Sequence, residues 1–278
     1  MATVAAEVRE RALETFERNG YVLIENALDD DQLARVTDAV DRTYARARPD
    51  GGALHLLAFC GGDPAFLELL DHPRVLPLVA SLLGPNIFVY HCHLDVHPPE
   101  PEVASTSMWH QDGGVINRDL ESTPRPRISV KVAYFLTDVG RPGRGNFVVL
   151  PGSHVRNAIA RPANDDNELP GAVPVLARPG DAVLFDRRLW HMRSRNASSL
   201  TRKAVFYAYT YRWVRQRDAL EVRPDLLAGL TPERRQLIGL GGDPIEFWMP
   251  DRAELPIRDA VGGRALSPRR AIARGGTP

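Results

Sequence analysis

The sequence predicts a mainly β fold with N-terminal helices, its strands arranged as a two-sheet jelly roll. The apolar spacing changes near residue 86, from a helical period to one close to two. Beyond that point many short runs rich in β-branched and aromatic residues are separated by Gly/Pro turns, which suggests a double-sheet jelly roll rather than a parallel βαβ sheet. A chain of 278 residues, 44% apolar and 25% charged, has the length and composition to bury one large core.

Taken in order, Val8, Ala12 and Phe16 recur at helical spacing and run up to Gly20, a suitable residue just past a helix end. Tyr21 to Ile24 reads as a short strand. Asp29 and Gln32 have the spacing of a capping box ahead of the stripe Leu33, Val36, Val40. Asp63-Pro64 and His72-Pro73 each put proline where a helix can start, the second helix ending at Gly84. The strand runs then cover 87–97, 128–138, 146–150, 173–177, 182–186 and 203–213, with turns at 141–145, 151–152 and 178–180. The expected organisation is a single domain over 1–250: a helical part over 1–85, a jelly-roll core over 86–215 and a helical part over 216–250. A Gly-, Arg- and Pro-rich tail over 251–278 has no periodicity and reads as loosely ordered.

Basic and acidic side chains number 35 each, so no net positive field points to nucleic acid or an anionic membrane. No stretch approaches the roughly 20 apolar residues of a membrane helix, and the N-terminus lacks a secretory pattern. Two cysteines, Cys60 and Cys92, provide no disulfide framework, and a reducing cytoplasm is the simplest location. No coiled-coil heptad speaks to oligomeric state.

The chemistry concentrates at His110-Gln-Asp112. On extended backbone, residues i and i+2 point to one face, so an imidazole and a carboxylate converge. One more histidine from a distant strand would complete a two-His, one-carboxylate triad, which leaves three positions of an octahedral iron(II) open. His191 suits this, following the strand 182–186 after a short turn. Eleven residues further, Arg202 opens the next strand, where it could hold the distal carboxylate of a co-substrate. Each residue alone has a bland reading: a chance His-x-Asp, a packed histidine, a surface arginine. Their order within one all-β segment favours the joint one.

These residues resemble the phytanoyl-CoA dioxygenase family of 2-oxoglutarate oxygenases. The likeness runs from about Phe16 to Trp213 and rests on Gly20-Tyr-Val-Leu-Ile24, Gly84-Pro-Asn-Ile87, Trp109-His-Gln-Asp-Gly113, Gly145-Asn-Phe-Val-Val-Leu-Pro-Gly-Ser-His154 and Leu189-Trp-His191 with Asn196 and Arg202. The resemblance implies a double-stranded β-helix, cupin-like core. It further implies Fe(II) on His110, Asp112 and His191, O₂ as oxidant, and 2-oxoglutarate anchored by Arg202. Positions matching co-substrate contacts fall near His93 and, more loosely, His55. The period-2 strand puts His91, His93, Asp95 and His97 on one face, opposite Tyr90, Cys92, Leu94 and Val96. Lys131, with Ala133 and Phe135, falls on a face that looks inward in relatives, where a lysine calls for an anionic partner. Relatives often carry a small hydroxyl residue two positions after the distal histidine. Here Arg193 stands there and Ser194 follows, so either the loop shifts by one residue or the carboxylate is held differently. His154 reads as a structural turn residue. The presence of Asp112, where halogenases on this scaffold have Gly or Ala, favours hydroxylation or a related oxidation yielding succinate and CO₂.

The substrate is a small molecule whose identity the sequence does not give. Arg118, Arg125 and Arg127 in a lid-like segment over 113–127, with Arg187 and Arg188, could meet an anion or could be solvated loop arginines. Trp109, Trp190, Tyr134 and Trp213 could wall a pocket or belong to the core. The competing expectations are a cupin-like metal hydrolase, isomerase or lyase that does not use 2-oxoglutarate, and a non-catalytic sensor that keeps the fold.

Overall fold

A computed structural model describes residues 6–100, 108–120, 122–160, 169–240, 244–251 and 254–262. The chain opens with α1 (Ala6–Asn19) and β1 (Tyr21–Ile24), joined at Gly20. Gly20 has φ +81°, and a Cβ there would lie 2.6 Å from His154 Nδ1 and 2.9 Å from Leu189 Cδ1, so the turn requires glycine. Helix α2 (Asp30–Ala47) carries the expected capping box: Gln32 N donates to Asp29 Oδ1 at 2.8 Å and Asp29 N to Gln32 Oε1 at 3.4 Å. β2 (Leu54–Leu57) was not legible as a strand. Its neighbours α3 (Pro64–Leu67) and α4 (Leu76–Leu83) are short, and α4 starts three residues after Pro73 because 73–75 form a turn.

β3 (Ile87–His97) is the longest strand. After α5 (Val115–Asp119) come β4 (Ser129–Phe135), β5 (Phe147–Val149), β6 (Val173–Pro174), β7 (Ala182–Asp186), β8 (His191–Arg193) and β9 (Arg202–Tyr211). They form two antiparallel sheets, one in the order β1-β7-β4-β9-β3-β2 and one in the order β6-β5-β8. This is the expected jelly roll. The run read over 173–177 is a strand for only two residues, and β8 was too short to stand out.

Alternation along the large sheet creates two distinct cores. Val130, Val132 and Tyr134 of β4 and Val205, Tyr207 and Tyr209 of β9 face the helices, whereas Ala133, Phe135, Ala204 and Phe206 face the small sheet with Phe147 and Phe185. Tyrosine hydroxyls fasten the helical side: Tyr207 donates to Phe66 O at 2.9 Å and Tyr209 to Leu70 O at 2.9 Å. The alternation of β3 is interrupted by a bulge. The register steps from Val89↔Tyr209 to His91↔Ala208, leaving Tyr90 without a partner of its own. Ile87 and Val89 face the helices before the bulge, and Cys92, Leu94 and Val96 do so after it. The extra residue therefore turns His91, His93, Asp95 and His97 onto the inner face, the opposite of what an uninterrupted strand starting at Ile87 would give.

The C-terminal part contains α6 (Pro224–Leu227), α7 (Pro232–Leu237), α8 (Pro244–Trp248) and α9 (Pro256–Ala260). α9 lies within the segment read as a loose tail. Ile257 is fully buried and Val261 nearly so, an anchoring that isolated apolar residues among Arg and Gly do not announce. The rest of that tail, 263–278, lies outside the described residues. Cys60 and Cys92 are buried free thiols. No described helix is long and apolar enough to cross a membrane.

Candidate active site

Three backbone contacts assemble the triad. His110 and His191 exchange N–H···O bonds of 3.0 Å each, an isolated antiparallel bridge, and Asp112 N donates to Arg187 O at 2.9 Å. His110 thus lies on a single bridge outside the ladders, and β8 carries His191. One ligand atom from each of His110, Asp112 and His191 falls within 4.8 Å of the others. Both imidazoles are aimed by the chain's own carbonyls: Nδ1 of His110 donates to Met108 O at 2.9 Å, and Nδ1 of His191 to Leu189 O at 2.8 Å. That fixes the tautomer and leaves each Nε2 with a free lone pair, the form a metal requires. Burial lowers the His191 pKa to about 3, keeping the ring neutral. Burial alone would raise the Asp112 pKa, yet the neighbouring Lys131 charge holds it far below the usual carboxylate range. Lys131 Nζ forms an ion pair of 2.8 Å with Asp112 Oδ2. The donor set of two neutral imidazoles and one carboxylate fits Fe(II).

On the same inner face, phenylalanines connect the triad to Arg202. Phe147 and Phe185 lie 5.1 and 5.3 Å from the His191 ring, and the Arg202 guanidinium lies 5.5 and 5.9 Å from Phe135 and Phe206. Arg202 is buried, and among the described residues its Nε and Nη1 have no hydrogen-bond partner. Gly145, at φ +66°, makes room for it: a Cβ there would meet Arg202 Cδ at 2.8 Å. Ser194 Oγ is likewise buried without a partner. Arg193, two positions after His191, clamps Glu100 with two bonds of 2.8 Å. A buried guanidinium and hydroxyl lacking acceptors fit a bound carboxylate.

β3 supplies a polar row beside this cavity. His93 stacks on Phe206 at 4.3 Å, and its Nδ1 lies 3.1 Å from His91 Nε2. His91 Nδ1 lies 2.6 Å from Asp218 Oδ2, with both side chains buried. His55 is more than half exposed, and its Nδ1 meets Asp95 Oδ1 at 2.6 Å. That hydrogen bond raises the His55 pKa. His55, His93 and Asp95 also lie close enough to share a cation, but here the carboxylate is already engaged by an imidazole nitrogen. Tyr90, which strict alternation would group with Cys92, instead lines a pocket with His91 because it sits in the bulge.

That pocket, of about 460 Å³, opens beside Asp112 and Lys131. Of the residues expected to meet substrate, the structure brings none into it. Tyr134 belongs to the helical core, its hydroxyl 3.3 Å from Leu69 O, because even-numbered residues of β4 face away from the site. Arg188 is buried against Asp186 with bonds of 2.8 and 2.7 Å. Arg118 points to solvent beside Asp119. Trp109 is half-buried and does not line the pocket. Arg125, Arg127 and Arg187 also serve the scaffold. Arg127 binds Glu17 through two bonds of 2.7 Å, Arg125 holds Gln111 at 3.0 Å, and Arg187 holds Asn117 at 2.6 Å. The walls are instead Tyr90, Val115, Ile116, Val214, Arg215 and Arg217. Arg215 and Arg217 sit past the last strand, where no periodicity singled them out.

Known proteins resemble the chain in sequence and in fold. The chain is 24% identical to the ectoine dioxygenase of Nocardia farcinica over 241 residues, covering 74% of this chain and 79% of that one. It is 24% identical to the peroxisomal phytanoyl-CoA dioxygenase of Bos taurus, covering 68% and 65%. Among solved structures it resembles HygX from Streptomyces hygroscopicus with nickel and 2-oxoglutarate bound (TM-score 0.62, 18% identity, 78% of this chain and 93% of that one). It also resembles the epimerase SnoN in complex with Fe³⁺, α-ketoglutarate and nogalamycin RO (TM-score 0.57, 22% identity, 86% and 93%). The phytanoyl-CoA dioxygenase family matches residues 16–204, and the chain belongs to that family, whose enzymes use Fe(II), 2-oxoglutarate and O₂.

Proposed function

We propose that this protein is a 2-oxoglutarate-dependent dioxygenase that hydroxylates, or otherwise oxidises, an unactivated C–H bond of a small organic substrate. His110, Asp112 and His191 would hold Fe(II). The observation that carries this reading is the pairing of that triad with a buried Arg202 whose Nε and Nη1 lack an acceptor among the described residues. A hydrolase or isomerase on the same scaffold has no need of such a cation. When bound, the iron supplies oxidative decarboxylation of 2-oxoglutarate to succinate and CO₂ and, with it, the power to abstract a hydrogen atom.

The chain's own groups do the positioning. Arg202 and Ser194 would receive the distal carboxylate, and the ring of His93 on Phe206 would form a wall of that cavity. His55 is assigned to steadying Asp95 and not to the co-substrate itself. Lys131 orients Asp112 by its ion pair, so that one carboxylate oxygen faces the histidines. The segment over 113–117 is fixed by Arg187, which donates to Asp112 O at 3.1 Å and to Asn117 Oδ1, and shields one side of the pocket from water. Buried free thiols suit a reducing compartment, and a cytoplasmic location is part of this reading.

The test is the visible spectrum of the purified protein with Fe(II) and 2-oxoglutarate under anaerobic conditions. A weak charge-transfer band is expected, lost in His191→Ala and weakened in Arg202→Ala. Metal binding at the triad without such a band sinks the oxygenase reading and leaves the cupin-like metalloenzyme. Product analysis then separates hydroxylation from desaturation, ring closure and epimerisation, all of which begin by hydrogen abstraction.

A further inference from the structure

We infer that the pocket beside Asp112 selects an anionic substrate: an apolar body carrying a carboxylate or phosphate that docks on Arg215 and Arg217. The inference rests on the oxygenase reading only in taking this pocket for the substrate's.

The charge distribution supports it. The pocket lining carries Lys131, Arg215 and Arg217 against one carboxylate, Asp112, and that carboxylate is both engaged by Lys131 and a member of the triad. Arg215 is exposed and has no ion pair or hydrogen bond among the described residues. Arg217 has only a loose contact of 3.7 Å with Asp218, whose other oxygen is taken by His91 Nδ1 at 2.6 Å and Cys92 N at 3.2 Å. Behind the wall, Arg187 is buried yet has no carboxylate partner among the described residues. It bonds only carbonyls and Asn117, and its Nε has no partner. A buried guanidinium with no ion pair among the described residues adds positive potential to the cavity, where screening is weakest.

The remaining lining joins Tyr90 and His91 to the apolar side chains Val115, Ile116 and Val214, which leave room for a hydrocarbon or ring system beside the cations. The arginines suggested by sequence do not provide this specificity. Arg125, Arg127 and Arg188 are satisfied within the fold, and the two that line the pocket follow β9 instead.

Calorimetric titration of the full-length protein, loaded anaerobically with Fe(II) and saturating 2-oxoglutarate, tests this. The probes are 4-phenylbutyrate, 3-phenylpropyl phosphate, methyl 4-phenylbutyrate and 4-phenylbutylamine. Both anions are expected to bind at least about tenfold more tightly than the ester, equivalent to about 1.4 kcal/mol, with the amine weakest. The ratio between the two anions identifies the preferred head group. The double variant Arg215→Gln/Arg217→Gln should bring anions and ester within about twofold, while Arg118→Gln, on the solvent side of the lid, should keep the preference. Anions that bind no better than the ester, that give no binding heat, or that keep their advantage in the double variant overturn the inference. The charge-transfer band is recorded on the same samples before titration. Its absence refutes the oxygenase reading, and the calorimetry still decides the charge preference.

Discussion

Replacing Arg202 by Met should make the empty protein more stable while nearly abolishing its affinity for 2-oxoglutarate. Burial, partly offset by Asp95, pushes the guanidinium pKa from 12.5 down to about 10. At neutral pH the side chain is below both values, so it is protonated in the folded and unfolded chains and the cost is fully expressed. At about 1.4 kcal/mol per tenfold, burying that charge costs about 3 kcal/mol when no anion is bound. Met keeps most of the stem but loses the contacts to Phe135 and Phe206, about 0.5 kcal/mol each. The net gain is about 2 kcal/mol, or a Tm rise of about 4 °C for a chain of this size. The co-substrate, in turn, loses two charge-assisted hydrogen bonds. At about 2 kcal/mol each, these amount to roughly a thousandfold in Kd. The assay is thermal unfolding under anaerobic conditions with Fe(II), with and without 2-oxoglutarate. Wild type should gain Tm on adding 2-oxoglutarate, and the variant should start higher and not respond. A variant less stable than wild type that still responds to 2-oxoglutarate would refute the reasoning, because Arg202 would then be compensated from within the fold.

Lys131→Met should weaken Fe(II) binding about 10- to 100-fold in a chelator competition, since it removes the group that orients Asp112. His72 is buried beside Tyr134, and burial lowers its pKa to about 4, so the unfolded chain binds more protons between pH 6.5 and 4. His72 alone should therefore contribute a stability loss of about 3 kcal/mol as pH drops through that window. His72→Gln should make that part of the urea-unfolding profile shallower by that amount, the other buried histidines keeping the rest of the slope. Gly20→Ala should cost about 2 kcal/mol or more in the same assay, from its positive φ and the collision with His154, with no change in iron affinity.

The sequence revealed most where side-chain period and metal spacing coincide. His110, Asp112 and His191 came from one local spacing and one strand end, and the structure brings them together although 191 lies far along the chain. The inward row on β3 was legible from residue 91 onward. The bulge that produces it was not, because Tyr90 differs in no local property from a paired strand residue. The partners of the loop arginines were hidden from the sequence for a physical reason. An arginine in a polar loop looks the same whether it greets a ligand or binds a buried acid. Asp186, whose carboxylate engages both Arg127 and Arg188, shows no sign of that role in its own strand. Tyr134 was misplaced by one step of the pleat, since its neighbours Ala133 and Phe135 do face the site.

The bulge at Tyr90 also separates two kinds of evolutionary freedom. Arg202 and His93, proposed to frame the co-substrate, stand on paired strands, so altering them risks the fold. The pocket's outer walls come from two segments, 113–116 and 214–217, separated by about a hundred residues and free of strand pairing. Tyr90 and His91 sit where these segments meet the last regular part of β3. Drift in either segment could retune what the enzyme accepts without disturbing how it consumes 2-oxoglutarate. One scaffold can thus acquire new substrates by exchanging its rim while its engine is inherited unchanged.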